Sequence, residues 1–358
     1  MKFMTPVALP PRPEHLLTDD SRILLLGSCF AEEVGNRLAT SLPAGQTVVN
    51  PFGVLYNPAS LATALRLLRI SPEERLQVLE ESLFLGRDGL WHSWLFNSKF
   101  SAAERAECLE RCTASLSACL TDADARNNPG TAPHGPVCAH AREPLFDILV
   151  LTMGPDHCYR LRQTSDTAST PDETSAMATS PDCETQNIVP NASKAAMASR
   201  VVANCHKEPA ACFEEVLTDG RELVAELQTW LHEGLVRDVV VTVSPYRYAK
   251  YGFHASQLSK ARLLLLAEQL CQLPASASNS GPTRTPDAAV HYFPAYEILL
   301  DELRDYRFYA PDMLHPSPQA ADYIFERFEE WAFSPELTLS AAERRKEARR
   351  QAHRPLVN

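Results

Sequence analysis

Three continuous apolar runs constrain the fold of this chain more than any other feature. They are RILLL (22–26), LFDILVLTMG (145–154) and VRDVVVTVSP (236–245). Uninterrupted runs of this length are typical of strands buried on both faces of a parallel sheet. Helical patterns alternate with them, after Ser28 and at 57–69, 101–120, 212–233 and 256–273. The order predicts an α/β fold, a three-layer α/β/α sandwich with a doubly wound, mainly parallel sheet.

The remaining segments predict one domain with insertions. HYFPAYEILL (291–300) is the expected last strand region, although its tail could begin a helix. Ser317 as N-cap and Pro318 at the first helical position predict a closing helix up to Phe333. We expect one domain over 1–335, loop insertions at 122–142, 163–198 and 274–288, and a charged, solvated helical tail over 336–358.

Charge and composition exclude several classes of function. The formal net charge of −11 argues against nucleic-acid or anionic-membrane partners, which need clustered cations. The first residues contain prolines and no sustained apolar core of a signal peptide, and no stretch is apolar enough to span a membrane. The 10 cysteines include no C-x-x-C pair. A cytoplasmic protein that acts on small or neutral molecules is therefore expected.

Ser28 is the first candidate for chemistry because it directly follows an apolar strand. Ligands of open parallel sheets bind beyond the carboxyl ends of the strands. A serine hydroxyl there could attack an ester while amides of the helix it opens stabilise the oxyanion. On its own, Ser28 also suits the plain role of a helix N-cap.

Asp312 and His315 form the second candidate group. They stand three residues apart, just ahead of the closing helix. A histidine whose tautomer is fixed by a carboxylate can remove the proton of a serine hydroxyl. An exposed loop acid beside a surface histidine gives the same D-x-x-H pattern, so the spacing alone leaves both interpretations open.

Several motifs in order give the chain a resemblance to a known family. They are GSCFA (27–31), NPFGVLYNP (50–58), LTMG (151–154), VANCHK (202–207), TVSPYR (242–247), LSKA (258–261) and DMLHPS (312–317). Together they resemble the GSCFA family, which looks like a divergent branch of the SGNH/GDSL hydrolases. The resemblance covers roughly residues 1–335.

This resemblance implies a flavodoxin-like α/β/α fold with a catalytic triad. Ser28 takes the place of the nucleophile, His315 that of the general base and acid, and Asp312 orients the imidazole. The G-x-N-D block that supplies an oxyanion donor in that superfamily is absent. Its substitutes are sought among backbone amides and asparagine side chains, namely Gly53, Gly154, Asn204 and Asn50.

Two further polar residues are candidates for substrate binding. Arg247 follows an expected strand and could hold an anionic group through its planar fork, or form a surface salt bridge. His206 lies in the NCHK motif, where a structural loop network is the competing interpretation. No spacing indicates a metal site, and no glycine-rich loop indicates a nucleotide, so no cofactor is expected.

Three functional hypotheses follow. The first is a metal-independent serine ester hydrolase or acyltransferase that acts through an acyl-Ser28 intermediate on a small or carbohydrate-linked ester. The second is a catalytically inactive protein that uses the same scaffold for binding. The third is a cysteine-dependent enzyme using Cys29 or Cys205 with His206, although we expect the Cys29 side chain to point into the core.

Overall fold

The computed structural model describes residues 4–11, 13, 16–127, 144–162, 201–273 and 289–352. Its strands are, in chain order, β1 (Ile23–Gly27), β2 (Thr47–Val49), β3 (Leu83–Leu85), β4 (Trp91–Ser93), β5 (Phe146–Met153), β6 (His157–Leu161), β7 (Val201–Val202), β8 (Phe213–Leu217), β9 (Val236–Val243) and β10 (Ala289–Tyr292). Its helices are α1 (Cys29–Ser41), α2 (Pro58–Arg69), α3 (Pro72–Glu81), α4 (Arg105–Asn127), α5 (Arg221–His232), α6 (Phe253–Cys271), α7 (Ala295–Glu297), α8 (Pro318–Ala332) and α9 (Pro335–Ala352). Short 3₁₀ turns at Ser98–Phe100, Ala210–Cys212 and Tyr306–Phe308 and a π-helical turn at Ile298–Leu303 complete these elements.

The central sheet has five parallel strands in the spatial order β10-β9-β5-β1-β2. Numbered along the chain, this is the 2-1-3-4-5 order of flavodoxin-like sheets. The three apolar runs form β1, β5 and β9 at its centre, which confirms the predicted fold class. The connections run off both sides of β1, so the sheet is doubly wound.

Alternate residues of β1 enter two separate cores. Leu24 and Leu26 pack with helices α2 to α6 on one face, whereas Ile23 and Leu25 pack with α1, α8 and α9 on the other. All four side chains are fully buried. This is why the strand reads as a continuous apolar run, because neither of its faces contacts water.

Small antiparallel sheets lie beside the main one. β3 pairs with β4, and β6 pairs with both β7 and β8. Only three residues separate the end of β5 from the start of β6, so this second sheet starts at the carboxyl edge of the main sheet. The amide of Ala203, just after β7, donates to the carbonyl of Trp94, just after β4, and joins the two small sheets.

Some sequence expectations need correction. The helix expected over 212–233 begins only at Arg221, because Phe213–Leu217 is β8. The loop expected at 122–142 starts inside α4, which continues to Asn127. The tail is helical but not fully solvated, since Leu337 and Ala341 of α9 are buried in the core that contains α1.

Other expectations hold or lie outside the described residues. The last strand region is confirmed as β10 followed by helical turns, and the closing helix has Ser317 as its N-cap. The insertions at 163–198 and 274–288, most of 128–142 and the last residues of the tail lie outside the described part. Within that part, no helix combines the length and the apolar character needed to cross a membrane.

Candidate functional site

A cavity of about 450 Å³ opens at the carboxyl edge of the main sheet. Its wall includes Ser28 after β1, Gly154 after β5 and Ser244 after β9. In a 2-1-3-4-5 sheet the connections leave in opposite directions between β1 and β5, and ligands bind at this switch point. The fold therefore brings the expected strand-end residues to one place.

The turn that presents Ser28 is held from several sides. Gly27 has a φ of 151°, and a Cβ on it would lie 2.3 Å from the carbonyl oxygen of Thr152. Asn50 Oδ1 accepts a hydrogen bond of 2.9 Å from the Gly27 amide. Ser28 is the N-cap of α1, and its Oγ accepts from the Phe30 amide at 3.3 Å. Ser28 therefore caps the helix and lines the cavity at the same time.

Asp312 and His315 form a pair in the loop before α8. Asp312 Oδ2 lies 2.5 Å from His315 Nδ1, while Oδ1 accepts from the amides of Leu314 and His315. The hydrogen bond from the His315 ring and those two amides lower the pKa of Asp312 to about 2. An ionised carboxylate thus orients the imidazole through Nδ1, which leaves Nε2 as the ring nitrogen that could contact a ligand or another side chain.

His315 lines the same cavity as Ser28. Its ring lies 4.5 Å from that of Tyr246, centroid to centroid. Within the described residues, Ser28 Oγ and His315 make no direct hydrogen bond. Ser28 Oγ only accepts in its contact with Phe30, so its own proton remains available for a donor role, and loose catalytic geometry is common in unliganded sites.

The backbone amides expected as oxyanion donors are already engaged. The Gly53 amide donates to Asn50 O and the Gly154 amide to Tyr56 O, both at 2.7 Å. The Ser28 amide donates to Thr152 O in a longer contact of 3.3 Å. Gly53 also lies outside the cavity lining, where its φ of 82° serves the turn after β2. These glycines shape the site and do not match the expected donor role.

Asparagine side chains offer better donors. Asn204 lines the cavity, and its Oδ1 accepts from the His206 amide at 2.7 Å, which leaves Nδ2 for a ligand. Asn50 is fully buried beneath the nucleophile turn and is not part of the cavity lining. Of the two asparagines expected from the sequence, Asn204 therefore keeps a place in the site and Asn50 supports Gly27.

Asn57 is a site residue that sequence reasoning missed. It lines the cavity and is 7% exposed. Its Oδ1 caps α2 by accepting from the Ser60 amide at 2.9 Å, so Nδ2 is the part of the amide left for a ligand. The signal was present in the sequence, because Asn57 stands directly before a proline as helix N-caps often do.

Arg247 does not occupy the expected position. Its amide donates to Leu314 O and its Nη1 to Met313 O, so it supports the loop that carries Asp312 and His315. Its guanidinium lies 4.1 Å from the centroid of the Phe253 ring, in a second cavity. Arg247 is thus a support for the Asp312–His315 loop, outside the lining of the Ser28 cavity.

His206 is also structural in this fold. It is 8% exposed, and its Nε2 donates to Ser93 O at 2.8 Å. Burial lowers the pKa of His206 to about 4, so the ring is neutral near pH 7. It does not line the Ser28 cavity. For His206 of the NCHK motif, the structural interpretation is therefore the one that fits.

Two cysteines line the cavity, contrary to the expectation for Cys29. Cys29 is half-buried against the cavity, not packed in the core. Burial raises the pKa of the Cys29 thiol, and it raises that of Cys205 to about 11. Both thiols are protonated near neutral pH, which disfavours a cysteine nucleophile because the thiolate is the reactive form.

The chain was compared with known proteins. A model described as the GSCFA family matches residues 22–126 and 192–328, which is more than half of the chain. The chain belongs to the GSCFA family. The matched GSCFA segments contain Ser28, Asn57, Asp312 and His315, whereas β5 lies between them. No curated protein and no solved structure matches the chain.

Proposed function

We propose that this GSCFA protein is a serine ester hydrolase or acyltransferase that acts through an acyl-Ser28 intermediate. The observation that supports the proposal is the meeting of Ser28 and the Asp312-paired His315 in one cavity at the switch point of the sheet. An activated serine needs a base within reach and a group that orients the base, and in this proposal His315 and Asp312 fill those two roles.

The steps follow from the roles of the three residues. His315 Nε2 takes the proton of Ser28 Oγ as Oγ bonds to the ester carbonyl carbon, and Asp312 stabilises the imidazolium. The tetrahedral intermediate expels the alcohol, which receives the proton from His315. Water or a second alcohol then attacks acyl-Ser28 with His315 again as base, which releases the acid or the new ester and restores the serine.

The oxyanion would be stabilised by side-chain amides in this proposal. Asn57 and Asn204 both line the cavity with their Oδ1 atoms already committed. The amide of Cys29, at the first position of α1, is one of the helix N-terminal amides without an intrahelical acceptor. The positive end of the α1 helix dipole lies at Ser28 and would also stabilise a negative charge there.

A fluorophosphonate probe tests the proposal directly. We expect a covalent adduct on Ser28, mapped by peptide mass spectrometry, that is lost in Ser28→Ala and slowed at least about 100-fold in His315→Ala. His232→Ala is the matched control, because that exposed histidine ends α5. An adduct on another residue, or no adduct between pH 6 and 9, would contradict the proposal.

A second candidate function is ligand binding without catalysis. The observation that favours it is the engagement of the Ser28, Gly53 and Gly154 amides by carbonyl acceptors. In this case the cavity would hold a small neutral molecule, and Ser28 would serve only as the N-cap of α1. Absence of labelling together with an unaltered melting temperature in His315→Ala would favour this function.

A further inference from the structure

The cavity contains a second carboxylate-paired imidazole, on His157. His157 is the first residue of β6 and lines the cavity together with Ser28. Its Nδ1 lies 2.8 Å from Asp156 Oδ1. The angles of this contact fall outside those of a hydrogen bond, so it is an electrostatic pairing. The cavity therefore presents two histidines, each beside an acid.

Asp156 is held rigidly behind His157. Its carboxylate pairs with Arg262 of α6, its amide donates to Ser259 Oγ at 3.2 Å, and its carbonyl accepts from the Thr218 amide at 2.8 Å. Burial alone would raise the pKa of Asp156, but hydrogen bonds from Ser259 and Arg262 and the charges of His157 and Arg262 lower it. The carboxylate is thus ionised although only 1% exposed.

The tautomer of the His157 imidazole follows from this arrangement. The ring nitrogen nearest the ionised carboxylate, Nδ1, favours the proton, so in the tautomer protonated at Nδ1 the other nitrogen, Nε2, is a hydrogen-bond acceptor. Within the described residues, His157 Nε2 makes no hydrogen bond with the protein. The side chain is 17% exposed and lines the cavity, which makes Nε2 available to a ligand.

Two tyrosine rings lie close to His157, and one of them, Tyr248, lines the cavity. Its ring centroid lies 6.0 Å from that of Tyr248 and 5.4 Å from that of Tyr251. Tyr159, two residues along β6, also lines the cavity and donates to Glu215. Flat apolar faces beside one hydrogen-bond acceptor suit a ring that carries a hydroxyl group.

We propose that His157, backed by Asp156, binds a hydroxyl group on the alcohol portion of the ester. The substrate class is an ester of a cyclic alcohol with a second hydroxyl, whose ring lies against Tyr248 and whose free hydroxyl donates to His157 Nε2. The proposal rests on the proposed function, since His315 and Ser28 carry the chemistry. His157 determines which alcohol the site accepts.

Two matched substrates isolate this contact. Cyclohexyl acetate and trans-2-hydroxycyclohexyl acetate have the same ring and ester and differ by one hydroxyl. We expect wild-type kcat/KM to be at least about fivefold higher for the hydroxylated ester, as one net neutral hydrogen bond gives. In His157→Leu the ratio falls to near one, and in His157→Gln, whose amide oxygen is an acceptor in a displaced position, it lies between one and the wild-type value.

Controls separate selectivity from stability and from the chemistry. Fluorophosphonate labelling of Ser28 persists in His157→Leu and His157→Gln, which shows that each variant is folded and that Ser28 still reacts. His232→Leu leaves both the ratio and the labelling unchanged. If His157→Leu does not fold, the ratio of the two kcat/KM values in His157→Gln is the test. A ratio identical to that of the wild type contradicts the proposal.

The outcomes keep the two proposals apart. A wild-type ratio near one, a ratio unchanged in His157→Leu, or turnover of neither ester by a protein that the probe labels would each overturn the role of His157 and leave the acyl-Ser28 proposal intact. Failure of the probe to label Ser28 in the wild type overturns both.

Discussion

At the scale of single residues, Asn57 combines two tasks in one side chain. Its Oδ1 caps α2, which leaves Nδ2 uncommitted, and the residue lines the Ser28 cavity. A rigid donor beside a nucleophile is worth about 10²–10³ in kcat in acyl transfer. The two tasks can be separated, because serine caps a helix as well as asparagine does but lacks the amide donor.

Asn57→Ser is expected to lower kcat about 100-fold and to leave the melting temperature nearly unchanged. The rate loss reflects the missing donor to the oxyanion, while KM changes little because the donor acts in the transition state. Steady-state kinetics with an ester that acylates Ser28 measure the loss in kcat. A thermal melt of the same variant measures its melting temperature. Asn204→Ser is the comparison, and a wild-type kcat in Asn57→Ser together with a loss in Asn204→Ser would assign the donor to Asn204.

The sequence allowed only part of this site to be predicted. The sequence places Ser28 at a strand end and Asp312 and His315 in a pre-helix loop, and the family resemblance supplied the roles expected of them. The oxyanion donors could not be predicted, since whether an amide is free depends on acceptors far away in sequence. Gly154, for example, donates to Tyr56, about 100 residues earlier. His157 was missed because its proposed role depends on Asp156, which Arg262 of α6 holds, and on the neighbouring ring of Tyr248.

At the scale of elements, the β1–α1 turn depends on the lack of a side chain at Gly27. Gly27 pairs with Thr152 across β1 and β5, and the two chains approach closely there. A Cβ at this position would lie 2.3 Å from Thr152 O, and the φ of 151° is unfavourable for any other residue. The close approach sets the distance between the nucleophile turn and the end of β5.

Gly27→Ala is therefore expected to destabilise the protein by about 3 kcal/mol or more, from backbone strain together with the clash. Gly45→Ala is the matched control. Gly45 has a φ of 86° with nothing within 4 Å of its Cβ position, so it should lose only about 1–2 kcal/mol from the backbone term. Urea unfolding of both variants measures the difference. Equal losses would show that the approach of Thr152 to Gly27 does not constrain the turn.

The elements differed in how well the sequence predicted them. β1, β5 and β9 were predictable because burial on both faces leaves an apolar run. β8 was misread as helix, because Phe213 and Val216 stand at a helical spacing of three while their true partners are in β6. The apolar face of α5 starts only after Gly220, whose φ of 75° breaks the segment. That T-D-G sequence was the available signal.

At the scale of the whole molecule, the site is a consequence of the sheet. Strands β1, β5 and β9 end side by side, and β6 begins at the same edge, so Ser28, His315 and the tyrosines of the cavity wall converge there. One buried side chain bonds to the residues that follow two of these strands. Lys260 of α6 is 1% exposed, and its Nζ donates to Ser244 O at 2.8 Å and to Gly154 O at 3.4 Å.

Lys260 makes the stability of the whole fold depend on pH. Burial lowers its pKa from 10.5 to about 7, although the charge of Asp156 acts in the opposite direction. Between these two values the unfolded chain holds a proton that the folded protein has lost. The free energy of unfolding therefore rises with pH across this window, by at most about 1.4 kcal/mol per pH unit from this group.

Lys260→Met removes this contribution and keeps an unbranched side chain of similar length. We expect the difference in unfolding free energy, wild type minus Lys260→Met, to increase by about 2 kcal/mol between pH 7.5 and 9.0. Urea unfolding of both proteins at the two pH values measures it, and the subtraction cancels the cysteines and tyrosines that titrate in the same range. Parallel profiles would mean that Lys260 carries the same charge in the folded and unfolded states. In that case the group that bonds to Gly154 and Ser244, at the ends of β5 and β9, is a protonated ammonium and not a largely neutral amine.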